Sequence, residues 1–111
     1  MLIEREIRKV QLANGTVPFD DWYQSLSDKH TQAGVAARLA RVRAGNFGNH
    51  KHVGDGVNEL KIDIGPGLRV YYAQHSGNIV LLLGGGDKTT QRRDIGRAIQ
   101  LWKQFQSFNK K

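Results

Sequence analysis

The chain has no cysteine and only two prolines among its 111 residues. Without thiols, disulfides and thiolate-rich metal sites are excluded, and packing alone has to hold the core together. Long hydrophobic runs are missing too. Nowhere do ~18 apolar residues follow one another, so no membrane span is predicted. The opening Met1-Leu2-Ile3-Glu4-Arg5-Glu6 is too charged for a secretory signal. These absences together suit a cytoplasmic protein. Acidic residues are also scarce, ten against 17 Lys and Arg, for a net charge of +7. Such an excess speaks to partners rather than to fold: nucleic acid, an acidic protein or an anionic surface, unless the protein is basic with no polyanionic ligand. No internal repeat appears, and the length suits one small domain, residues 1–111, with a single core.

What is present reads as alternating patterns broken by glycine. Ile3, Ile7 and Val10 among charges predict a strand over 2–10, although their spacing also fits a helix. After the Asn14-Gly15 turn, Pro18 leads into a helix whose Phe19, Trp22, Tyr23 and Leu26 share one face. Asp28 is placed to cap a second helix running to Ala44, with Val35, Leu39 and Val42 as its buried stripe and Gly45-Asn46 as its stop. Arg38, Arg41 and Arg43 point in different directions around it and are expected mostly to face solvent. Residues 47–56 read as a loop.

A hairpin follows. Leu60, Ile62 and Ile64 alternate with Glu59, Lys61 and Asp63, and Leu68, Val70 and Tyr72 alternate with Arg69, Tyr71 and Ala73. A three-residue Gly65-Pro66-Gly67 loop predicts Ile62 opposite Val70, Lys61 opposite Tyr71 and Asp63 opposite Arg69, with one face in the core and the other polar. After a turn at 75–78, the apolar run 79–83 predicts an inner strand, and Gly84-Gly85-Gly86 leads to a helix starting near Thr89 or Thr90. Ile95, Ala98, Ile99, Trp102 and Phe105 form that helix's buried stripe, and Asn109-Lys110-Lys111 reads as a loose basic tail. The class is α+β: a strand, two helices, three antiparallel strands and a final helix.

Chemistry is expected where the last helix begins. A helix N-terminus carries partial positive charge and free N–H groups, yet Lys88, Arg92 and Arg93 crowd it, with Asp87 and Asp94 offsetting only part of the charge. Either these side chains pair among themselves in solvent, or an anion such as phosphate is held there. The hairpin adds Glu59, Lys61, Arg69 and Tyr71. Arg69 can fork onto a phosphate or onto Asp63. In His50-Lys51-His52 an imidazole offers proton transfer near neutral pH, and His30 and His75 read as surface residues. No third ligand at suitable spacing accompanies the two histidines, so no metal is expected, and no cofactor is expected either.

Taken together, these segments resemble the RelE/ParE superfamily of type II toxin–antitoxin toxins, in particular the phage-type addiction module killer proteins near HigB. The resemblance rests on 19–26, Arg38-Leu39-Ala40-Arg41 leading to Gly45-Asn46-Phe47-Gly48, Glu59-Leu60-Lys61-Ile62, Gly65-Pro66-Gly67-Leu68-Arg69-Val70-Tyr71-Tyr72, and Leu81-Leu82-Leu83-Gly84-Gly85-Gly86-Asp87-Lys88 with Gln91 and Asp94. It implies a RelE-like fold and a ribosome-dependent mRNA endonuclease that works without metal. It also implies a cognate antitoxin, here a HigA-like helix-turn-helix protein. Within the same superfamily, a ParE-like inhibitor of DNA gyrase that cuts nothing is the other expectation. By position, Arg69 matches the strand arginine that stabilises the transition state. Lys61 and Glu59 match positions that are basic or acidic in different branches, and Lys88 matches a basic position after the inner strand. Asp94 falls near a tyrosine used elsewhere to orient the nucleotide, and this sequence has no tyrosine after Tyr72. Lys51, His52, Tyr71, Gln91, Arg92 and Arg93 are the expected RNA contacts, with His52 a candidate general acid.

Overall fold

Pro18 begins the first helix where its missing N–H costs nothing, and Asp20 and Asp21 complement the dipole of the first turn. The computed structural model describes residues 2–108, so the basic tail expected at 109–111 lies outside the described residues. Helix α1 (Pro18–Ser25) follows a short strand, β1 (Glu6–Lys9). Asp28 caps α2 (Lys29–Arg43), its carboxylate accepting from the His30 N–H and the Thr31 hydroxyl, each at 3.0 Å. Gln32 fastens the corner between the helices: its amide donates to the carbonyls of Tyr23 at 3.1 Å and Leu26 at 3.0 Å. The Tyr23 hydroxyl donates back to the Gln32 carbonyl. At Gly45 the backbone turns to a φ of 97°, and the N–H groups of Gly45 and Asn46 close the helix on the carbonyls of Val42 and Arg41.

Four more strands follow, β2 (His50–Gly54), β3 (Val57–Ile62), β4 (Leu68–His75) and β5 (Ile79–Asp87). A single 3-10 turn (Lys88–Thr90) and helix α3 (Gln91–Phe108) complete the described chain. The sheet order is β1-β5-β4-β3-β2, with β1 parallel to β5 and every other pair antiparallel. This is an α+β architecture built on a five-stranded mixed sheet. One face carries Leu60, Ile62, Leu68, Val70, Tyr72, Val80 and Leu82 against Phe19, Val35, Leu39 and Val42 of α1 and α2. The other carries Val57, Tyr71, Ala73, Leu81 and Leu83 against Ala98, Leu101 and Trp102 of α3. β5 is therefore covered on both sides, as its unbroken apolar run suggests.

Four expectations need correction. Residues 50–54 are not loop but an edge strand. All but the last two are exposed, so β2 buries no alternating face that a sequence pattern could display, and its pairing comes from β3. The hairpin register differs by two residues: Ile62 faces Leu68, Leu60 faces Val70, Lys61 faces Arg69 and Glu59 faces Tyr71. The ladder ends at Ile62 because Ile64 leaves it to pack on α2, where a Cβ on Gly34 would lie 2.2 Å from the Ile64 Cδ1. A two-residue shift preserves both faces, so the side-chain assignment survives while the partners change. Finally, the face expected to be polar is mostly a second core under α3, and only its end beyond the first turn of α3 is open. His75 is likewise no simple surface residue, since its ring meets those of Trp102 and Phe105 edge-on.

Candidate active site

Cross-strand pairing sets the open end of the α3 face in two rows. Lys51, Glu59, Tyr71 and Gly84 form one, and Lys61, Arg69 and Gly86 form the next. Side chains directly opposite on an antiparallel sheet share a face. Arg69 is 7% exposed and Glu59 2%, and the Arg69 Nε lies 3.8 Å from Glu59 Oε1. This diagonal pair replaces the expected Arg69–Asp63 contact. The first residue of α3 reaches the hairpin here, Gln91 Nε2 donating to Glu59 Oε2 at 2.8 Å. Arg69 Nη1 donates to the Gly67 carbonyl at 2.8 Å, while its buried Nε has no hydrogen-bond partner. That Nε faces Glu59 at ion-pair rather than hydrogen-bond distance, so the guanidinium is held by charge while one of its N–H groups keeps unused bonding capacity.

Asn49, His50, Lys51, Glu59, Lys61 and Arg69 line a pocket of about 230 Å³ over this end of the sheet. Lys51 and Lys61 are exposed at its rim, and Arg69 lies at its floor. Glu59 is buried in the lining of this pocket, with one oxygen turned to Gln91 and the other to Arg69. Tyr71 is fully buried in the second core and offers no ring face to a base, against the expectation that it contacts RNA. His52 pairs with Asn58, and Asn58 with Tyr72, which sets His52 on the opposite face of the sheet, and it does not line this pocket. Alternation assigns faces only within a strand, and the exposed side chains of β2 carry no alternating pattern.

Asp94, 9% exposed, lies over Gly86 and accepts from the Thr90 hydroxyl. It lines a larger cavity of about 670 Å³ with Tyr71, Trp22, Arg93 and the three-glycine stretch of β5. Asp94 therefore belongs to a neighbouring cavity and not to the Arg69 pocket. The exposed arginines beside it diverge: Arg93 borders the larger cavity, with its Nε 3.8 Å from Asp94 Oδ1, and Arg92 borders a shallow depression with Gln91 and Ile95. Lys88 is exposed in the 3-10 turn, just past the row holding Arg69 and Gly86. The α3 helix itself starts at Gln91, and the carboxylate of Asp87 already caps the turn before it, accepting from the Thr89 N–H at 2.8 Å. The Thr89 hydroxyl and N–H hold the Asp87 carboxyl below its ordinary range. Among the described residues, no three His, Asp or Glu side chains gather closely enough to hold a metal ion. Nor is any described helix long and apolar enough to cross a membrane.

Arg38 was missed. It is 8% exposed, not solvated, and its Nη2 donates to the Asn49 carbonyl at 3.0 Å. The signal was present: Val35, Arg38, Leu39 and Val42 follow the i, i+3, i+4, i+7 spacing of one helix face.

Burial raises the Tyr71 phenol far above its ordinary pKa, and the negative charges of Glu59 and Asp94 raise it further. Burial also pushes Tyr72 up to about 12, against the opposing pull of Arg38 and Arg5. Both phenols are neutral in the fold and ionise in the unfolded chain from roughly pH 10. The stability they confer is complete below that pH and declines as the pH rises toward 12. Urea midpoints should therefore fall between pH 9 and 11, and a Tyr72→Phe variant should lose part of that fall.

No family model matches the chain. A Haemophilus influenzae protein described as uncharacterized is 47% identical over 83 residues, a match spanning 75% of this chain and 84% of the relative.

Proposed function

We propose that this chain, which belongs to the same family as the uncharacterized Haemophilus influenzae protein, is a RelE-like toxin that cleaves messenger RNA on the ribosome. The observation that carries the reading is Arg69: a buried guanidinium with an unused N–H, fixed by Glu59 at the floor of a pocket rimmed by Lys51 and Lys61. The net charge of +7 is in keeping with a polyanionic substrate. In the proposed reaction the RNA 2′-oxygen attacks the adjacent phosphorus as the bond to the 5′-oxygen breaks. The products are a 2′,3′-cyclic phosphate and a free 5′-hydroxyl. One proton leaves the 2′-hydroxyl and one is delivered to the 5′-oxygen, and the dianionic phosphorane between them needs cations. Arg69 supplies the fixed donor for that charge. Lys61, directly across the ladder, supplies the mobile one and is placed to exchange a proton. No metal or other cofactor enters the scheme.

The reading carries a cytoplasmic setting with it, together with a helix-turn-helix antitoxin as the silencing partner. Lys88, exposed and without an ion-pair partner among the described residues, steers RNA to the pocket. Lys88→Ala is expected to weaken RNA binding and to reduce the slope of log K against log salt by about 0.7, the loss of one phosphate contact. An unchanged slope would leave Lys88 a solvated charge. The function itself is tested by inducing the chain in cells and mapping new mRNA 5′-ends alongside chromosomal breaks. In-frame cuts in translated messages support cleavage. DNA breaks with intact mRNA would favour a gyrase inhibitor on the same fold.

A further inference from the structure

A second cationic pocket lies around the sheet edge from the first. Gly34, Ala37, Arg38 and Arg41 of α2 and Lys61 to Ile64 at the end of β3 line a cavity of about 360 Å³, with Asn49 between them. Arg38 lies at its base. The Asn49 carbonyl accepts from Arg38 Nη2 and also from the Lys61 backbone N–H at 3.0 Å, which fixes the guanidinium beside β3. Its Nη1 is buried and has no hydrogen-bond partner. Among the described residues no carboxylate lies within ion-pair distance of Arg38, Arg41 or Lys61; exposed Asp63 lines the same cavity without pairing to any of them. Buried charges are ordinarily paired, because an uncompensated one is costly to desolvate. Burial, and then the like charge of Arg41, weaken the hold of Arg38 on its proton, against the opposing pull of Tyr72.

Lys61 borders both pockets and so links Arg69 on one side with Arg41 and Arg38 on the other, the carboxylates of Glu59 and Asp63 lying in the lining of the first and second pocket. We propose that Arg38, Arg41 and Lys61 form a phosphate subsite for a nucleotide neighbouring the one held at Arg69, so that the RNA backbone passes over the β2–β3 edge toward α2. The inference rests on the polyanion reading above and extends it to residues outside the Arg69 pocket. Arg38 provides a fixed fork at the base, and Arg41 provides an exposed cation that closes over the phosphate.

Arg41 is the residue to change, because its exposed side chain can be replaced without opening a hole beneath α2. The probe is a 2′-O-methyl RNA oligonucleotide, which binds but lacks the attacking hydroxyl. Binding is measured across a salt series for the parent, for Arg41→Gln, and for Lys103→Gln as a control of equal charge change toward the far end of α3. The expected result is a slope reduced by about 0.7 and a several-fold weaker affinity for Arg41→Gln only. Equal slopes for parent and Arg41→Gln would overturn the subsite while leaving the Arg69 pocket in place, since the parent still binds. An equal loss in both variants would also overturn it, because the effect would then be general charge. Failure of the parent to bind the probe at any salt would overturn the subsite, while the nuclease reading would still stand or fall on cleavage with translating ribosomes. Arg38→Lys keeps a buried cation without the fork and is expected to weaken binding at least as much as Arg41→Gln. Parent-like binding by this variant would count against the subsite.

Discussion

Replacement of Arg69 by lysine should slow RNA cleavage by about 10²-fold or more in a protein that still folds, the loss typical of one preorganised transition-state donor. Lysine keeps the charge that balances Glu59, so the buried pair is not left half empty. It loses the planar fork, and with it the N–H that is unused in the free protein. Alanine is the wrong probe at this position. It would strand the Glu59 carboxylate, 2% exposed, with only the Gln91 amide beside it, at a cost of about 3–5 kcal/mol. Measuring cleavage and urea midpoints for both variants separates the two effects: the lysine variant should fail in chemistry, the alanine variant in stability. A folded lysine variant with parental cleavage would remove Arg69 from the reaction.

Addition of one methyl group at Gly86 should destabilise the fold by about 1–3 kcal/mol, the usual penalty for overpacking. A Cβ there would sit 1.9 Å from Asp94 Oδ2 and 2.8 Å from its Cγ. Asp94 is held by Thr90, so relief requires moving a buried carboxylate and the first turn of α3 with it. That turn also presents Gln91 to Glu59, and the strain should therefore reach the Arg69 pocket as a lower cleavage rate. Gly96 makes the contrast. A Cβ there meets nothing within 4 Å, and Gly96→Ala within α3 should gain about 0.5–1 kcal/mol from helix propensity. Comparable stabilities for the two alanine variants in chemical denaturation would contradict this packing.

Much of this architecture could be read from alternation and punctuation. Pro18, Asp28 and Gly45 mark helix ends by local chemistry, and the unbroken apolar run of β5 announced a strand buried on both faces. The side-chain assignment of the hairpin was legible because the pleat repeats every two residues. Its partners were not, because the register depends on Ile64 leaving the ladder for a gap at Gly34, a contact between segments far apart in sequence. Strand β2 was hidden for a related reason: an exposed edge owes its conformation to hydrogen bonds from its neighbour, and polar side chains leave no trace of those.

The candidate site was legible in its residue types and less so in its grouping. Glu59, Lys61, Lys51 and Arg69 do meet at one pocket, and Gln91 joins the helix to the hairpin there. Asp94 and Tyr71 lie elsewhere because α3 covers half of a face that the alternation alone presents as open. Arg38 escaped because a charged residue was assumed to seek solvent, although its spacing put it on the buried stripe of α2.

The most direct test pairs purified parent and Arg69→Lys proteins with translating ribosomes and follows the chemistry of the new RNA ends. Fragments bearing 2′,3′-cyclic phosphates with the parent, and at least a hundredfold slower appearance with the variant, are what a guanidinium-centred phosphodiester cleavage requires. Intact message in the presence of the folded parent, or cyclic ends formed equally fast by the variant, would contradict it.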